Sequence, residues 1–206
     1  VECWLLDAKE FGAPQTRRRT FIVGRRRGVA TRAIPAPVSS PPEGYESGVH
    51  AILEREVDDV YYLSDTIKPT ILSDGTGGWH AKSEINQFIA RPLCKTMHKM
   101  HRASQDNYYS DAFVNGSWSE EEGLIVEANV GGDRIRRITP REALRIQSFQ
   151  EPLIERLLST GLSDTRLYMA AGNAVPPKLV AAVLGSLLED MPEEWVEEPR
   201  AATIVH

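Results

Sequence analysis

With 206 residues, 41% of them hydrophobic and 26% charged, the chain has material for one full core or two modest ones, which excludes wholesale disorder. Two cysteines are too few for a disulfide framework or a cysteine-built zinc site and fit a reducing cytosol. No run approaches the ~20 apolar residues that cross a bilayer, and Val1-Glu2-Cys3-Trp4 has neither a basic region nor a cleavage site, so secretion and membrane anchoring are disfavoured and a cytoplasmic location is expected. The net charge of -5 does not exclude nucleic acid, because it is unevenly spread. Arg17, Arg18, Arg19, Arg25, Arg26, Arg27 and Arg32 crowd the first stretch, whereas Glu189, Asp190, Glu193, Glu194, Glu197 and Glu198 form an acidic tail.

The chain opens without methionine in an apolar run, Val1 to Leu6, that reads as a strand and suggests a cut or split protein. A Gly-Pro turn at Gly12-Ala13-Pro14 leads to a second strand, Thr20 to Gly24. Arg25 to Pro42 loses periodicity and gathers Pro35, Pro37, Pro41 and Pro42, the mark of a linker and a domain boundary. The middle is mixed: a short helix over Val49 to Glu56, a Gly-rich turn at Gly75 to Trp79, and strands near Leu93 and over Leu124 to Glu127 are predicted, with a turn at Gly131-Gly132-Asp133. Helices follow. Thr139 caps a helix with Pro140 at its first position and Glu142 reaching back, a second runs from Pro152 to Leu158, and a third opens at Ser163 or Asp164. The last starts at Pro176-Pro177 with Leu179, Val180, Val183, Leu184, Leu187 and Leu188 as an apolar stripe that needs a partner. The expected class is mixed α/β.

Gln15, Arg17 and Arg19 alternate along an extended segment, so period-2 geometry sends them to one side and Thr16 and Arg18 to the other. Two guanidinium forks and an amide in a row suit phosphate, carboxylate or a base carbonyl. On composition alone the plainer reading is a solvated, salt-bridged strand end. His98 and His101 have a spacing that raises the question of a metal, but no third ligand is apparent, so no metal site is assigned. Arg91, Lys95, Lys99 and Arg102 form a local basic cluster with Tyr108, Tyr109 and Trp118 nearby, a groove-facing segment or a generic basic loop.

Three blocks carry a family resemblance: Phe11 to Gly24 with its Phe-Gly-x-Pro-Gln-x-Arg-x-Arg pattern, Arg136 to Phe149 with Thr-Pro-Arg-Glu and Ala-x-Arg-x-Gln-x-Phe, and Ala171-Gly172-Asn173-Ala174-Val175-Pro176-Pro177. Together they resemble the closing third of a cytosine-5 DNA methyltransferase. The resemblance implies that Arg19 holds a flipped cytosine, Arg17 braces the catalytic loop or a phosphate, and Gln15 organises the base pocket. It implies that Gly172, Asn173, Ala174 and Val175 line part of an S-adenosylmethionine site, with Gly172 permitting a turn. It also implies that 136–190 is a helical return to the catalytic lobe in which Arg141 and Glu142 are architectural, Arg145 and Gln147 remaining open. Between the blocks the family places its target-recognition domain, where Thr96-Met97 resembles a Thr-Leu pair and Arg91, Lys95, Thr96, Lys99 and Arg102 are the candidate DNA contacts.

The implied organisation is 1–28 as the edge of a partial S-adenosylmethionine-dependent methyltransferase sheet, 29–135 as linker and small irregular target-recognition lobe, 136–190 as the C-terminal helices, and 191–206 as acidic tail. Neither Cys3 nor Cys94 sits in a Pro-Cys-Gln segment, and the Glu-Asn-Val and Phe-x-Gly-x-Gly segments are absent. The expectation is therefore a C-terminal portion or subunit, inactive alone, that works with an N-terminal catalytic half on double-stranded DNA, nucleoid-associated when bound. There the family mechanism adds a thiolate at C6 of the cytosine, moves the methyl group to C5 and removes a proton. A non-catalytic, sequence-specific DNA-binding module is the alternative, and RNA as substrate stays open. An unpaired sheet edge makes a self-dimer a further expectation.

Overall fold

The computed structural model describes residues 1–26, 33–39, 46, 48–75, 78, 80–119, 121–126 and 134–189. The chain begins with strand β1 (Glu2–Asp7), a single turn of 3-10 helix (Ala8–Phe11) and strand β2 (Arg18–Val23). β1 and β2 pair antiparallel from Glu2 opposite Val23 to Asp7 opposite Arg18. Gly12 ends the 3-10 turn in the left-handed region (φ 80°), and its N–H closes on the Ala8 and Lys9 carbonyls, a backbone state that costs a side-chain-bearing residue strain. Asp7 then holds the far side of the turn, accepting from the Arg17 backbone N–H at 2.8 Å.

Helix α1 (Lys68–Leu72) is followed by strand β3 (Tyr108–Ser110), helix α2 (Asp111–Val114) and strands β4 (Ser117–Ser119), β5 (Gly123–Ile125) and β6 (Ile135–Arg137). β3 pairs with β6 and β4 with β5, both antiparallel. Four helices follow among the described residues: α3 (Pro140–Ile146), α4 (Glu151–Leu158), α5 (Asp164–Asn173) and α6 (Pro177–Leu188). The main core joins Leu93, Met97, Tyr109, Phe113 and Ile138 to Leu144, Ile146, Ile154, Tyr168 and Ala171. A second core centres on Leu63, Ile71, Tyr108 and Ile135, and a third packs Leu179 of α6 on Ala8, Phe11 and Ala13.

Several expectations shift. The helix over Val49 to Glu56 is a 3-10 turn, Val49–Ile52, ended by extended backbone at Leu53 (ψ 140°). No strand forms at Leu93, because its N–H and carbonyl serve Gln15 and Arg17 side chains instead of a ladder. The α6 stripe is only half covered: Leu179 and Val183 are buried, while Leu184 and Leu188 face out. Residues 164–188 are apolar enough in mean hydropathy (1.3) to suggest a membrane span. They are two helices, broken by extended backbone at Ala174 (ψ 156°), and each is too short to cross ~30 Å of hydrocarbon. Much of the linker, part of the Gly75 to Trp79 turn, Glu127, the turn at 131–133 and the acidic tail lie outside the described residues.

Candidate active-site framework

The capping box fixes one wall. The Thr139 hydroxyl accepts from the Glu142 N–H at 3.1 Å and Glu142 accepts from the Thr139 N–H at 2.7 Å, so α3 starts where the Thr-Pro-x-Glu pattern places it. Glu142 also takes a two-pronged bond from Arg136, at 2.7 and 2.8 Å, with both side chains fully buried. Arg141 and Arg145 reach Glu151 on α4, so α3 and α4 are locked by surface ion pairs over the buried one.

Gln15 and Arg17 are buried, and Thr16 and Arg18 are exposed, as alternation along an extended chain requires. The Gln15 amide donates to the Ile146 carbonyl (3.0 Å) and to Gln147 Oε1 (3.1 Å), and Gln147 in turn donates to the Ala171 carbonyl (2.6 Å). Arg17 donates to the carbonyls of Leu93 (2.7 Å), Gly172 (3.0 Å) and Ala174 (2.9 Å). These two side chains therefore bind all three sequence blocks and the start of the basic loop into one unit. Burial, and after it the like charge of Arg19, hold the Arg17 guanidinium below its ordinary pKa, with Cys94 opposing. Arg19, which strict alternation places on the side of Gln15 and Arg17, is instead exposed, and among the described residues it donates only to the Arg18 carbonyl, at 2.7 Å.

Gly172 lies inside α5, so its role is close approach and not the turn expected of it. A Cβ there would overlap the backbone of Cys94 and Lys95. Asn173 and Val175 are exposed and Ala174 is half-buried, which leaves an amide and an apolar side chain facing outward at the end of α5.

Among the candidate DNA contacts, Lys95 and Lys99 are exposed, and Thr96 and Arg102 are half-buried. Arg91 is engaged: its Nε donates to the Ala103 carbonyl (3.1 Å), Nη2 meets Glu84 (3.4 Å), and its backbone is held by Asn107. Tyr108 and Tyr109 are buried in two separate cores, so neither side chain faces a groove. Trp118 stacks on Phe88 with ring centroids 5.5 Å apart.

Sequence reasoning missed Arg136 as the buried mate of Glu142. The signal was its position three residues before a capping threonine. It also missed Asp106, whose carboxylate accepts from the His101 N–H (2.8 Å) and sits 3.0 Å from His101 Nδ1. Burial raises the Asp106 carboxyl above its usual range, against the bonds and charge of His101.

Residues 1–189 match the family described as C-5 cytosine-specific DNA methylase. The chain is 29% identical over 193 residues to the type II methyltransferase M1.ScrFI of Lactococcus lactis subsp. cremoris, covering 92% of this chain and 43% of that protein. It is 26% identical to M.SsoII of Shigella sonnei, covering 91% of this chain and 44% of that one. The fold resembles the Entamoeba histolytica methyltransferase EhMeth (TM-score 0.65, 17% identity, 92% of this chain and 53% of that one) and the Dnmt2 methyltransferase of S. pombe (TM-score 0.58, 17% identity, 91% and 55%). The chain spans about half the length of these relatives.

Proposed function

Because the chain belongs to the C-5 cytosine-specific DNA methylase family, we propose that it forms the C-terminal portion or subunit of a DNA (cytosine-5) methyltransferase, contributing base-pocket cations, target recognition and one wall of the cofactor site. The observation that carries this reading is the pair of bonds from Arg17 to the carbonyls of Gly172 and Ala174, which ties the strand that carries the exposed Arg19 to the end of α5, where Asn173 and Val175 are exposed. A cation on a strand end next to an arginine whose Nη atoms are already engaged is preorganised to meet charge developing on an extruded base. The family uses S-adenosylmethionine as methyl donor. Asn173, Ala174 and Val175 would hold one side of it, and the nucleophile would come from a segment outside these residues.

The apolar side of the β1–β2 hairpin supports the same reading. Leu5 and Ile22 are 69% and 74% exposed on one face, and Val1, Leu184 and Leu188 add further uncovered apolar surface. Exposed apolar area of this kind marks an interface. A polypeptide carrying the Pro-Cys-Gln and Glu-Asn-Val segments is the partner that completes the enzyme. Combining the two and following transfer of a tritiated methyl group to double-stranded DNA tests it. Transfer that requires both pieces supports the proposal, and full activity of the N-terminal piece alone overturns it. Salt-sensitive, sequence-selective DNA binding with no transfer in any combination would leave the DNA-binding module as the better description.

A further inference from the structure

From the loop that runs between Cys94 and Asp106, we infer a zinc-type divalent metal site with Cys94, His101 and Asp106 as protein ligands and the fourth position open to the Thr96 hydroxyl or water. One donor atom from each of the three residues lies within 4.8 Å of the others. Cys94 Sγ stands 3.9 Å from Asp106 Oδ1 and 3.4 Å from the Thr96 hydroxyl, and His101 Nδ1 is 3.0 Å from Asp106 Oδ2. These separations are close to those between neighbouring ligands around one tetrahedral ion with bonds of about 2.0–2.3 Å.

The carboxylate makes the case. Asp106 is more than nine-tenths buried, yet among the described residues its Oδ1 meets only the Cys94 thiol, a weak and distant donor. A buried anion in that state calls for positive charge. A divalent ion bound by one thiolate, one carboxylate and one neutral imidazole is neutral overall, and binding releases the thiol proton to solvent. Thiolate and imidazole together favour zinc over magnesium or calcium.

The loop is also built to hold this arrangement. Met100 takes a left-handed backbone (φ 53°), uncommon for a non-glycine residue, and so turns His101 back toward Asp106. Tyr108 pins the His101 carbonyl with a 2.6 Å bond, and the side chain of Asn107, next to Asp106, accepts from the Arg91 N–H and donates to the Arg91 carbonyl. His98 is not part of the set: its Nδ1 pairs with the Lys95 carbonyl at 3.2 Å. The site would close the loop that carries Lys95, Lys99 and Arg102, and its backbone at Cys94 is the surface against which Gly172 packs.

Titrating the metal-stripped protein with cobalt(II) tests the site directly. A thiolate-to-cobalt charge-transfer band with visible bands of tetrahedral intensity is expected, both displaced by zinc, and zinc should raise the thermal midpoint in a concentration-dependent way. Cys94→Ser and His101→Gln should each lose the band, and His98→Ala should keep it. No charge-transfer band with the unaltered protein, or a band that survives Cys94→Ser, overturns the assignment. So does a band lost in His98→Ala and kept in His101→Gln, a readout independent of whether either variant is less stable.

Discussion

Arg17 Nη2 lies 3.0 Å from the carbonyl oxygen of Gly172, 155 positions further along the chain, and the same nitrogen reaches Ala174 while Nη1 takes Leu93. One guanidinium thus saturates three carbonyls that would otherwise be stranded where the hairpin, the basic loop and the end of α5 meet. Lysine offers a point charge in place of that fork. Arg17→Lys should cost on the order of 2–4 kcal/mol, since at least one buried carbonyl loses its donor, read as a fall in the urea midpoint with unchanged slope. A loss under about 0.5 kcal/mol would mean the clamp does not hold the blocks together.

At Gly172 two effects oppose one another. Alanine is the better helix former by about 1 kcal/mol, but its methyl would run into the backbone of Cys94 and Lys95, which cannot swing away as a side chain would. The clash wins, and Gly172→Ala should destabilise by about 1–3 kcal/mol. Thermal unfolding decides it, and a stabilised variant would contradict the packing.

For the Arg136–Glu142 pair, burial alone would lower the Arg136 pKa, yet the bond and charge of Glu142 prevail and raise it. Glu142 also accepts the Thr139 and Glu54 N–H groups. Glu142→Gln should therefore cost about 3–5 kcal/mol, because a buried guanidinium is left without its anion. The double replacement Arg136→Met with Glu142→Gln should cost less than the sum of the singles, and a double-mutant cycle that shows no coupling would rule out the pair as a unit.

Arg19 separates folding from function. Its side chain is exposed, and among the described residues its one hydrogen bond is to the neighbouring Arg18 carbonyl, so Arg19→Ala should change stability by less than about 0.5 kcal/mol. In the reconstituted enzyme proposed above it should lower methyl transfer about 100-fold, the scale of losing one preorganised charge-stabilising donor. Unchanged transfer would remove Arg19 from the base pocket.

His50 sets an acid limit. It is 5% exposed and edge-on to Phe113, with ring centroids 5.6 Å apart. Burial lowers its pKa, backbone contacts with Phe113 and Gly116 oppose, and Arg55 adds to the lowering. The unfolded chain binds the proton near pH 6.5 and the folded chain only below that. Stability from this residue is therefore fully present above about pH 6.5 and is lost as pH falls from there toward the lower folded value. Comparing urea midpoints at about pH 8 and about pH 5.5 for the protein and for His50→Gln isolates the effect. The variant should show a shallower drop, and an identical drop would assign the acid sensitivity elsewhere.

The parts legible from residues alone were those set by near neighbours. Thr139, Pro140 and Glu142 announced the start of α3 because a capping box needs only three residues, and alternation foretold that Gln15 and Arg17 turn inward but not that Arg19, expected on the same side, is exposed. Membership of the family was readable for the same reason: its motifs are short and contiguous. Which partner each inward side chain meets was decided by the tertiary structure. Gln15 finds Gln147, Arg17 finds Gly172, and Cys94 faces Asp106 only after Met100 reverses the chain. Periodicity fixes the direction in which a side chain leaves the backbone, whereas its partner depends on how distant segments pack, and no local pattern encodes that distance.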